Sequence, residues 1–365
     1  MQPADPSWPA RRPQRFDSTL VATYCGLFSA LGYTAANICL RALTDCDAVW
    51  VSCVKAFPTV VLVAPWLCLR AARNQCLIPC WHVLGILVVA ALVGQLGGNV
   101  LFQWSLGVVG IAMSVPLCLG SMILASVVVG RSFLGEVITR RMVVATVILL
   151  LAIAILSLGA VAANRSFGLP GPRAGHLVWV IIGVAAACFS GITYCLLGTV
   201  IRWSSNRGTP VSTILAVTCL VGMVSLGALS AVRIGPLGMV RTNRLDLVVM
   251  LLAGLCNAAA FLALTLALQL AGLVYVNALN ASQTALAAVA GVVVFGEAVT
   301  PWLVLGVLLT AGGLLLMKGR GRAVQSAGLG TRRAEPQARA AEVGQPPVAA
   351  AHVEACGRPV LIKRA

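Results

Sequence analysis

Ionisable side chains are scarce in this chain, and the few that fall inside apolar stretches are the first candidates for chemistry. Lys55 lies between Cys53 and Pro58, about seven residues into an apolar run. An ammonium at that depth would pair with an anionic solute or an internal carboxylate; alternatively, its long stem would carry the charge back to the nearby interface. Glu136 and Glu297 are the only glutamates ahead of the C-terminal tail, and no aspartate falls in the core of an apolar run. Each glutamate is either a proton site or an anchor that ties a helix end to backbone amides or to an arginine such as Arg140. Their place at the boundaries of apolar runs favours the anchor.

Uncharged polar residues form stripes. Gln95, Asn99 and Gln103 recur every four residues, which puts three carboxamides on one helix face. Asn277, Asn280 and Thr284 share a narrow face in a later run, and Tyr33 and Asn37 are four apart in the first. Such faces turn away from lipid, either to line a solute cavity or to hydrogen-bond between helices. The chain contains no GxxxxGK[ST], HExxH or GxSxG motif, so no ATPase, zinc or serine active site is expected. His82, His176 and His352 have no partnered carboxylate in view, and no enzyme activity, cofactor or metal is expected. Most of the 13 cysteines lie inside apolar runs as soft packing residues, and Cys76, Cys80 and His82 are too irregularly spaced for a good zinc site.

The elements that must hold these residues are membrane helices. Hydrophobic residues make up 59% of the 365 and charged residues only 10%, too few to cover a water-soluble surface. Ten apolar segments are predicted, at approximately 18–40, 48–70, 81–105, 107–130, 142–162, 176–201, 209–232, 245–270, 273–295 and 301–317. All must be helical, because hydrocarbon cannot satisfy an open strand edge. Trp50, Trp66, Trp81, Trp104, Trp179 and Trp302 fall near segment ends, where an indole prefers to sit. With the N-terminus in the cytoplasm, the inner segments hold Arg70, Arg73, Arg131, Arg140, Arg141, Arg202 and Arg207, while fewer basic residues lie outside. That bias places both termini inside, in the cytoplasmic (plasma) membrane. The net charge of +16 is therefore topological, and nucleic acid is not an expected partner. Residues 1–17 read as a cytoplasmic segment preceding an uncleaved first helix. Residues 318–365 read as a disordered basic tail.

The chain also matches itself. Gly130, Gly135, Glu136 and Thr139 align with Gly291, Gly296, Glu297 and Thr300 at an offset of 161 residues. The same offset pairs Phe28, Ser29, Tyr33 and Arg41 with Phe189, Ser190, Tyr194 and Arg202, and between these regions Gly110 pairs with Gly272 one residue later. Two units of five spans, 18–162 and 176–317, must cross the membrane in opposite senses if they share a fold. The expected fold class is thus an all-α membrane protein of ten transmembrane helices in two inverted repeats. Secondary transporters are commonly built on that plan, with the solute near the midplane and a proton or counter-solute supplying the energy.

The Gly-Glu-x2-Thr motif, in Phe133-Leu134-Gly135-Glu136-Val137-Ile138-Thr139 and Phe295-Gly296-Glu297-Ala298-Val299-Thr300, resembles that of EamA-like proteins in the drug/metabolite transporter superfamily. The resemblance covers roughly 18–317. It implies alternating-access transport of a small polar metabolite, with a nucleotide-sugar or sugar-phosphate carrier as the alternative within the fold. A non-transporting scaffold or sensor is the alternative outside it, and a homodimer is compatible with either. Relatives often carry a proline in spans four and nine. Pro116 keeps the first, but Asn277 and Ala278 occupy the matching stretch, so a broken ninth helix is not expected.

Overall fold

A computed structural model describes residues 15–73, 79–136, 138–165, 174–287, 289 and 301–318. Residues 1–14 and 319–365 lie outside it, as does the second motif with Gly296, Glu297 and Thr300. Among the described residues the regular structure is helical throughout. The long helices are α1 (Arg15–Arg41), α2 (Ala48–Ala72), α3 (Trp81–Val109), α4 (Ile111–Ser132), α5 (Arg140–Arg165), α6 (Ala174–Asn206) and α7 (Val211–Arg233). They are followed by the short α8 (Gly235–Val240), then α9 (Arg244–Leu270), α10 (Leu273–Asn280) and α11 (Pro301–Lys318). Among the described residues, seven helices are long and apolar enough to cross a bilayer: α1 to α4, α6, α7 and α9. The chain is a multi-pass integral membrane protein.

The outer surface is apolar, as contact with lipid requires, and buried polar side chains lie within a largely apolar core. Tyr24, Phe28, Trp66, Trp81, Val128 and Val224 are exposed large side chains. Lys55, Gln95, Asn277, Asn280, Gln283 and Thr218 are buried. The helix neighbours exchange between the two halves of the chain: α1 packs on α9 and α6 on α3, while α2 faces α7 and α5 faces α11.

Three local departures from regular helix matter for the site. In α3, Gly94–Val100 is a π-helical segment, a widened turn often found at functional positions. The boundary between the third and fourth segments falls at Gly110, whose φ of 75° suits glycine. The ninth segment does break: α10 ends at Asn280, Ala281 and Ser282 form a turn, and helix resumes at 283–287. That corrects the expectation of an unbroken helix. No proline is needed, because Ser282 donates both its amide and its hydroxyl to the Leu279 carbonyl and tightens the last turn. Pro116, by contrast, sits inside a continuous α4.

Close helix crossings depend on small residues. Ser121 Oγ donates to the carbonyls of Cys118 and Cys188, both at 2.9 Å, which ties α4 to α6 beside Gly191. A Cβ on Gly191 would run into the Cys118 carbonyl and the Ser121 hydroxyl. Backbone cannot yield as a flexible side chain can. We expect Gly191→Ala to destabilise the detergent-purified protein by about 1–3 kcal/mol, read as a lower thermal midpoint. Gly312→Ala, where nothing lies within 4 Å, should leave the midpoint unchanged.

Candidate functional site

A central cavity of about 130 Å³ opens between the helices of both halves. Lys55 and Ser52 reach it from α2, Gln95 and Asn99 from the π segment of α3, and Tyr33 and Asn37 from α1. Tyr194, Thr218 and Asn257 face it from α6, α7 and α9. Asn277, Asn280 and Gln283 line it around the interruption after α10, where irregular backbone at membrane depth borders a cavity rather than lipid. Phe102, Leu119, Met122, Phe261 and Leu264 make the rest largely apolar.

One hydrogen-bond chain organises the polar side. The Thr218 carbonyl can only accept, so Gln95 must turn its Nε2 toward it, at 3.2 Å. Gln95 Oε1 then accepts from Asn99 Nδ2 at 2.6 Å. This fixes Asn99 Oδ1 as the acceptor for both Lys55 Nζ and Tyr194 Oη, each at 2.8 Å. Gly98 lets the Tyr194 ring approach, since a Cβ there would sit 2.6 Å from its Cε1. Lys55 is 5% exposed, so its charge does not snorkel to the interface but is held inside by a neutral amide. Asn280 Oδ1 accepts from Ser29 Oγ at 3.4 Å. Asn277, 4% exposed, has no partner for its Nδ2 among the described residues.

The predicted stripes are only partly brought together. Gln103, one turn and ~6 Å beyond Asn99 along the helix axis, is buried outside the cavity wall, with neither side-chain polar atom bonded among the described residues. Thr284 is buried without lining the cavity. Tyr33 and Tyr194, repeat partners, both line it. Asn257 and Gln283 were not among the predicted site residues. Asn257 shares its apolar run with one other carboxamide, Gln269, twelve residues on, and the shift that pairs Gly110 with Gly272 also pairs Asn257 with Gln95. That correspondence was the available signal.

The first Gly-Glu-x2-Thr motif lies apart from the cavity, and each of its residues has a mechanical task. Gly135 adopts φ 61°, which favours glycine, and Glu136 N donates to the Gly130 carbonyl at 2.9 Å. Glu136 thereby swings under the start of α10, where its carboxylate accepts from Leu273 N at 2.7 Å and Val274 N at 3.5 Å. A carboxylate is favoured at a helix N-terminus, where free amides and the helix dipole converge. Arg202 Nε pairs with Glu136 at 3.0 Å, and the guanidinium also donates to the Leu268 and Ala271 carbonyls. The arginine partner is thus Arg202 at the end of α6, not the sequence neighbour Arg140. Thr139 Oγ1 accepts from Met142 N at 3.3 Å and caps α5. At the other end of α9, Asp47 caps α2 and pairs with Arg233 at 3.2 Å, while Trp50 Nε1 donates to Thr242. The cavity lies between these two tied ends.

Residues 180–318 match the EamA-like transporter family, so the second half of the chain carries an EamA-like unit. No curated protein matches in sequence. A crystal structure described only as that of a protein superposes with a TM-score of 0.63 at 17% identity, covering 81% of this chain and 95% of that one. That likeness concerns the fold alone, and it extends over both halves.

The Arg202–Glu136 pair, with both side chains 12% exposed, should behave as a buried ion pair. Glu136→Gln or Arg202→Met alone is expected to cost about 3–5 kcal/mol, because each strands a charge. The double variant should lose less than the sum of the two. Thermal midpoints of the four proteins in detergent check this; additive losses would mean that the pair is not coupled.

Proposed function

We propose that this protein is a secondary transporter that moves a small polar metabolite by alternating access. The observation that carries the reading is the central cavity, whose polar wall is assembled from helices of both halves around Lys55, Asn99 and Tyr194. A site shared in this way changes its exposure when the halves rock against each other. The EamA-like match over 180–318 supports transport as the activity class. The exchange of helix neighbours between halves supports an inverted five-plus-five repeat, with both termini in the cytoplasm by the arginine bias.

Within this reading, the ties at the two ends of α9 are the contacts that opening would break. The Glu136–Arg202 cluster closes one end, and the Asp47–Arg233 and Trp50–Thr242 contacts close the other. A proton or counter-solute provides the drive. A nucleotide-sugar or sugar-phosphate carrier fits less well, because the cavity wall holds one cationic side chain among the described residues and is small for a nucleotide.

The test is counterflow in proteoliposomes, with amino acids and small carboxylates set against nucleotide sugars. Exchange of a small metabolite is expected, and absence of flux for every class would sink the proposal. Asn277→Leu should raise the KM about tenfold, the equivalent of one lost hydrogen bond to solute. Its thermal midpoint should stay near wild type, since among the described residues Nδ2 leaves no partner unpaired. An unaltered KM would assign Asn277 to packing.

A further inference from the structure

We infer that the cavity selects a small monoanion, a carboxylate carried on an apolar body, with Lys55 as its counter-ion. As a statement about cargo this rests on the transporter reading above; as a statement about binding it rests on the charges of the cavity wall.

Lys55 is the only lining side chain that bears a formal charge at neutral pH, and among the described residues no aspartate, glutamate, arginine or histidine joins it. A buried ammonium facing only neutral groups is costly, so it attracts an anion into its vicinity. The amine has three N–H donors, and among the described residues its one hydrogen bond is to Asn99 Oδ1. The orientation of Asn99 is not free to change, because the chain through Gln95 ends on a backbone carbonyl. Asn99 therefore holds the ammonium in place and leaves N–H groups for an incoming carboxylate. Asn277 Nδ2, buried in the same wall, adds an uncommitted donor.

The same inventory excludes other charge types. A cation would meet Lys55 with no acidic side chain to offset it. A zwitterion would leave its ammonium unmatched, so an amino acid should bind less well than the corresponding oxo or hydroxy acid. A dianion such as a phosphate monoester would find one cation for two charges. Phe102, Met122, Phe261 and Leu264 suit an apolar body. The volume is of the order of a ~150 Å³ cavity that accommodates benzene.

Three near-isosteres test this on the full chain purified in detergent: benzoate, benzamide and benzylamine. Benzoate should raise the thermal midpoint and bind about tenfold more tightly than benzamide, since an ion pair with the Lys55 ammonium replaces a hydrogen bond from it to a neutral acceptor. Benzylamine should give no shift. Lys55→Arg should keep the benzoate response and Lys55→Gln should lose it. Benzoate no better than benzamide or benzylamine, or an undiminished benzoate response in Lys55→Gln, overturns the inference. If Lys55→Gln does not fold, the wild-type comparison of the three probes decides alone. Flux in proteoliposomes separates the two readings. Equal transport of benzoate and benzylamine would keep the transporter and discard the monoanion. Benzoate binding with no flux of any solute would do the reverse.

Discussion

A bilayer offers no water to a polar group at depth, so each one must find its partner within the protein or face a cavity. The distribution of polar residues in this chain follows from that constraint. Hydroxyls such as those of Ser52, Thr34 and Thr199 return to the carbonyl four residues back on their own helix. The carboxamides and the amine cannot all do so; Gln103 stays buried outside the cavity wall without a partner among the described residues, and several others gather at the centre. There, the Thr218 carbonyl imposes a direction on Gln95, Gln95 on Asn99, and Asn99 on Lys55 and Tyr194. The cavity is where the excess of polar groups over internal partners is left.

The glutamate motif shows how a conspicuous sequence feature can be mechanical rather than chemical. Gly135 supplies the left-handed turn, Glu136 caps α10 and holds Arg202, and Thr139 caps α5. Two local tasks and one long-range contact explain three residue types. The cluster also connects distant parts of the chain: the α4–α5 loop from the first half, and the ends of α6 and α9 from the second. An ion pair at such a junction stabilises one arrangement of the halves without setting what is carried.

The self-match at offsets of 161 and 162 residues pairs some cavity residues and leaves others without a polar counterpart. Tyr33 and Tyr194 remain matched, as do Gln95 and Asn257 under the one-residue shift, and all four line the cavity. Lys55, by contrast, falls opposite the apolar Ala216–Val217 step, and Asn99 opposite Phe261. Among the described residues, the single positive charge of the wall thus lies on the first half.

The membrane class and the approximate helical segments were legible from composition and spacing, because lipid imposes them on every segment separately. Tertiary structure decided which stripe residues share a wall. Gln95 and Asn99 reach the cavity while Gln103, on the same periodicity, does not, since a helical repeat fixes angle around an axis but not depth along the cavity. It also decided that Glu136 meets Arg202 across 66 residues of chain and that the ninth segment breaks without a proline. Both depend on how distant helix ends are juxtaposed, and local sequence carries no information about that distance.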